Sequence, residues 1–122
     1  MKDDAVLIWN TTEITLQRTE KGKAPRITNV AWADITGVAA YKANLVFLDL
    51  ICMSISTESG TVEINDEIDG WERLIEEFPD HLPGFPRVSA WFHRVALPLF
   101  DTNFTRLYSK EAIPPEGAKE LD

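Results

Sequence analysis

The residues best placed to do chemistry form an acidic segment: Glu63, Asp66, Glu67, Asp69, Glu72, Glu76 and Glu77. Counted from Asn65, oxygen-bearing side chains fall at loop positions one, three and five (Asn65, Glu67, Asp69). Gly70 stands at six and Glu76 at twelve. That is the spacing of an EF-hand calcium loop. The residue types argue against it, because asparagine opens the loop and glutamate takes position three. Glu72 also fills position eight, which is normally aliphatic, and the preceding segment reads as a strand where an EF-hand needs a helix. An acidic first helical turn on a solvated face accounts better for the same residues. No metal site is assigned.

His81 and His93 are the only histidines, and Asp80 precedes His81 in a proline-bounded stretch. Ser89 and His93 lie four apart and would share one helical face. A serine nucleophile also requires an orienting acid and an oxyanion hole, and no nucleophile elbow surrounds Ser89. Cys52 is the one cysteine, set among apolar residues where a thiol is unreactive, so it reads as a small core residue. It excludes an intrachain disulfide. The six glycines never gather into a phosphate-cradling loop. No catalytic residue and no cofactor are therefore assigned. A ligand-binding or enzymatic role, with Asp66, Glu67 or the histidines lining a pocket, is kept as an alternative.

The aromatic residues point elsewhere. Four tryptophans, Trp9, Trp32, Trp71 and Trp91, are many for 122 residues. Trp71 belongs to an apolar helical stripe, whereas Trp9 and Trp32 lie beside strand ends, where an indole can anchor a partner. Trp91, Phe92, Phe104 and Tyr108 follow after the obvious fold is complete. Their first expected role is to wrap the sheet and finish the core, and their second is a dimer or partner surface. Trp9, Trp32, Trp91, Phe92 and Phe104 are the candidate partner-binding residues.

The elements that must position these groups follow from periodicity. Ala5–Trp9, Glu13–Arg18, Pro25–Val30, Ile35–Tyr41, Leu45–Ser56 and Thr61–Asn65 read as strands in meander order, with Ile14 and Leu16 alternating inward. Asp69 reads as an N-cap with Glu72 closing a capping box. Trp71, Leu74, Ile75 and Phe78 then recur at helical spacing until Pro79 stops the helix or leaves one fraying turn. Val88, Trp91, Phe92 and Val95 predict a second short helix ending before Pro98. Thr102–Tyr108 reads as a last strand or an extended arm. The expected fold is α+β: a bent antiparallel sheet or partly open barrel of about six strands, closed by one amphipathic helix, with a short C-terminal helical extension. Residues 1–113 make one domain and residues 114–122 a frayed acidic tail.

Composition bounds the role. Twenty acidic residues against twelve basic ones give a net charge of -8, which opposes binding to nucleic acid or to an anionic membrane. No run approaches a membrane span or a secretory signal, so a cytoplasmic location is expected.

Trp32-Ala-Asp-Ile35, Tyr41-Lys42 and the helix opening at Gly70-Trp71 resemble small bacterial pleckstrin-homology-like domains. They are also similar to a small uncharacterised bacterial family with W-x-D-I-x-x-V-x-A-Y-K, G-W-x-x-L and L-P-G motifs. The resemblance covers roughly residues 5 to 85 and implies a structural scaffold without catalytic residues to carry over. Lipid-binding members place basic residues in the first hairpin. Here Arg18, Lys21, Lys23 and Arg26 are diluted by Glu13 and Glu20. The expectation is a bacterial, non-catalytic protein-interaction module whose partner is another protein, with a homodimer open. An immunity- or antitoxin-like protein binding a basic toxin domain is the concrete alternative.

Overall fold

The computed structural model describes residues 4–20, 22–44, 49–97 and 103–110. The fold is α+β. Its strands are β1 (Asp4–Trp9), β2 (Glu13–Thr19), β3 (Arg26–Ala31), β4 (Gly37–Asn44), β5 (Asp49–Thr57), β6 (Gly60–Asn65) and β7 (Thr105–Ser109). Its helices are α1 (Trp71–His81) and α2 (Val88–Ala96). The segment expected to frame a tail, 114–122, lies outside the described residues, as does the start of the Leu45–Ser56 strand.

The expected bent sheet or partly open barrel takes the form of two antiparallel sheets, ordered β1-β2-β3 and β6-β5-β4-β7 and not closed into a barrel. The break falls at Trp32–Asp34, a single 3-10 turn between β3 and β4. Trp32 fixes this corner from both ends of the residue. Its backbone N–H donates to the Thr12 carbonyl at 3.0 Å, and its indole Nε1 donates to the Asn10 carbonyl at 2.9 Å. With β3 turned away, β4 takes β5 on one side and β7 on the other. A register shift between Val38 and Ala39 marks a bulge in the β4–β7 pairing.

Alternation then selects the core. Leu7, Ile14, Leu16 and Val30 come from the first sheet, and Val38, Ala40, Ile51, Met53, Ile55 and Ile64 from the second. Helix α1 adds Trp71, Leu74, Ile75 and Phe78, and α2 adds Trp91 and Val95. Pro79 does not end α1, which runs on to His81. So close to the C-terminus, the missing N–H removes one bond from a turn that is already weakly held.

The helix start differs from the capping box. Gly70, with φ 96°, is the N-cap and offers no side chain to the helix. Asp69 is engaged otherwise: its carbonyl accepts the Leu7 N–H at 2.8 Å, and its backbone bridges to Val6. The β6–α1 loop thereby closes the outer edge of β1. A side chain at position 70 would put a Cβ 2.6 Å from the Leu7 carbonyl oxygen, so the approach requires glycine.

Candidate functional site

Three hollows lie along β1 and the β6–α1 loop, of about 440, 300 and 220 Å3. The first two share Glu67, Ile68 and Asp69 and adjoin as one open groove, while the third opens on the outer face of β1, beside Val6 and Gln17. Asp4, Asp66, Glu67, Asp69 and Glu72 line the groove, against the two cations Arg18 and Arg73. Leu7 and the half-buried Trp9 form the wall of the largest hollow.

Local chemistry explains why the carboxylates gather here. Asn65 ends β6, and its Oδ1 accepts the Glu67 N–H at 2.9 Å, an Asx turn that breaks the strand. The Ile68 N–H donates to the Asn65 carbonyl, and Ile68 is buried as the loop's anchor. Acidic neighbours on either side are left facing solvent. Partial burial holds the Asp66 carboxyl above its ordinary range, with Glu67 adding to the rise.

The EF-hand count does not become a calcium loop in this arrangement. The strand β6 precedes it, Asn65 spends its side chain on the turn, and Glu76 sits on the solvent face of α1. No group of three or more His, Cys, Asp or Glu side chains able to hold a metal occurs among the described residues.

The candidate partner-binding aromatics separate by burial. Trp32 and Trp91 are packed inside the chain, and Phe92 is half-buried against the core. Trp91 Nε1 is buried without a hydrogen-bond partner among the described residues. Trp9 is half-buried at the groove, and Phe104 is 61% exposed, stacked over Tyr41 at 6.4 Å. Of the five, Phe104 alone is exposed outright, while Trp9 and Phe92 are both half-buried against the core. Trp9 and Phe104 play different parts, since Trp9 belongs to the acidic groove and Phe104 to the mouth of β7. Tyr108 and Val95 are buried, so the C-terminal residues do complete the core of one chain.

The remaining chemical candidates fall apart from the groove. His81 is half-buried, 3.3 Å from Glu77 and flat against Trp32, and it lines none of the hollows described. Ser89 and His93 are both solvent-exposed on α2. Cys52 is buried, but by parity it stands on the outer face of the second sheet, opposite Tyr41, and outside the core cluster. Burial and the nearby Glu63 carboxylate push its thiol up, away from the reactive thiolate.

Sequence reasoning missed the most buried charge among the described residues. Lys42, 2% exposed, points inward from β4; its Nζ donates to the Ala96 carbonyl at 2.7 Å and lies 3.6 Å from Asp49. The ammonium thus satisfies the C-terminal carbonyl of α2 and ties that helix to the β4–β5 pair. The signal was present, because Lys42 continues the inward alternation of Val38 and Ala40.

No helix among the described residues is long and apolar enough to cross a membrane. No protein-family model, curated protein or solved structure matches this chain. The pleckstrin-homology-like resemblance accordingly remains an expectation from its motifs.

Proposed function

We propose that this chain is a non-catalytic protein-interaction module whose groove along β1 receives a basic partner. The meeting of the two larger hollows at Asp69 carries the reading: five carboxylates against two arginines, beside a half-buried indole. A concave surface of one sign focuses the field and raises the encounter rate with an oppositely charged partner. The net charge of -8 acts in the same direction at longer range. Trp9 supplies the apolar anchor that charge alone lacks. A bacterial cytoplasmic setting belongs to the same reading, and an immunity-like protein facing a basic toxin domain is its most concrete form.

The test is affinity capture from source lysate with the tagged chain, at low and high salt, beside an Asp66→Lys/Glu67→Lys variant. A stoichiometric partner of basic isoelectric point, lost at high salt and lost in the variant, is expected. Capture equal at both salts and in both proteins would refute electrostatic docking in the groove. Empty capture throughout would favour the small-ligand alternative.

A further inference from the structure

Among the described residues the two sheets have four strand edges, and three of them are obstructed in different ways. The β6–α1 loop covers β1 through the Asp69 carbonyl. The bulge opposite Val38 and Ala39 breaks up β7, and β6 carries the exposed Glu63. Strand β3 has neither a covering loop nor a bulge, and its one charge, Arg26, stands at its first residue. It pairs with β2 on one side only, and a groove of about 280 Å3 separates it from the start of β6. Arg26 through Asn29 are all exposed, and from Ile27 to Ala31 the strand carries no charge and no proline. Its outward N–H and C=O groups are unpaired among the described residues, which leaves a template for another strand.

We propose that β3 pairs antiparallel with β3 of a second copy of this chain, joining the two three-stranded sheets into one of six strands. An antiparallel edge is self-complementary about a two-fold axis, so a single sequence serves both sides. A pairing centred on Asn29 sets Ile27 opposite Ala31 and Thr28 opposite Val30, and each pair shares a face as the pleat demands. Charge selects this occupant. Arg26 opens the strand and Asp34 follows its end; both are exposed, and the strand's length, roughly 20 Å, keeps them from meeting within one chain. In that register the Arg26 of each copy stands opposite Trp32 of the other, two residues short of Asp34, at both ends of the junction. The two-fold also extends the outer-face row Val6–Gln17–Ile27, where Ile27 is 62% exposed, beside the junction. Because β1 and β3 are opposite edges of the sheet, both acidic grooves stay open, and the proposal stands independently of the partner reading.

Sedimentation equilibrium of the full chain from about 1 µM to about 1 mM spans the affinities of small interfaces. The expected result is a mass that rises from 13.8 kDa toward twice that value. Arg26→Asp sets like charges together at both ends and is expected to weaken association at least about tenfold. The double variant Arg26→Asp/Asp34→Arg is expected to restore it, with circular dichroism confirming the fold of each. A mass of one chain over the whole range overturns the proposal. So does a dimer indifferent to Arg26→Asp, which would place the contact elsewhere, or a swap that fails to restore association.

Discussion

The imidazole of His81 lies flat on the indole of Trp32, with ring centroids 4.0 Å apart and planes 10° from parallel. Trp32 holds the corner between the two sheets, and His81 is the last residue of α1, so the stack pins the helix to the corner. Phe78 also meets the indole edge-on, at 5.2 Å. Replacing His81 by Ala is expected to cost about 0.5–1.5 kcal/mol beyond the lost area, while His81→Phe keeps most of the stability. Urea unfolding followed by tryptophan fluorescence measures both. Equal losses in the two variants would show that the ring contact is not what matters there.

Gly70 and Gly84 both have positive φ, yet they differ in surroundings. Around Gly84 a Cβ meets nothing within 4 Å, whereas at Gly70 it meets the Leu7 carbonyl. Gly84→Ala is therefore expected to lose about 1–2 kcal/mol from backbone conformation alone. Gly70→Ala should lose clearly more and loosen the β1 edge. Amide exchange at Leu7, whose N–H is held by Asp69, reports the loosening directly.

Lys42 supports a prediction about a buried charge pair. Lys42→Met leaves the Asp49 carboxylate, 12% exposed, without its ammonium neighbour and should cost about 3–5 kcal/mol. Lys42→Met/Asp49→Leu removes both charges and is expected to recover a large part of that loss. Thermal denaturation of the two variants decides it, and a double variant no better than the single one would refute the pairing.

Tyr41 gives a pH dependence whose sign is fixed. Burial, with the Glu63 carboxylate beside it, raises the phenol well above its ordinary value of about 10. A raised value in the folded state means that the neutral phenol favours folding. That contribution is complete below the unfolded value and is lost as pH climbs toward the folded one. Stability should thus fall at alkaline pH, and Tyr41→Phe should flatten the fall. Absorbance titration of the phenols should show a late-ionising step that vanishes in the variant.

Much of the framework was legible because its signals are local. Alternation identified Ile14 and Leu16 as inward, and helical spacing identified Trp71, Leu74, Ile75 and Phe78. The errors arose where tertiary contacts overrode local chemistry. Asp69 looked like an N-cap, but its carbonyl was needed at β1 and glycine took the cap. Cys52 reads as a small buried residue and is one, though strand parity sets it on the outer face of the second sheet, opposite Tyr41. The division into two sheets depends on Trp32 reaching Asn10 and Thr12, a contact that no short window of sequence contains. The groove at Asp69 was half visible: its carboxylates stood out in sequence, whereas Trp9, Asp4 and Arg18 join them only through the fold.

The late arrival of β7 has a consequence for how the chain matures. Every pairing in the first sheet, and those of β4 through β6, joins strands that are neighbours in sequence. The β4–β7 pairing instead waits for residues synthesised after both helices. On the ribosome, the edge formed by Gly37, Val38, Ala39 and Ala40 is bare until Thr105–Ser109 emerge. A nascent chain halted before that point presents a small-residue apolar edge, open to misassembly with its neighbours on the polysome.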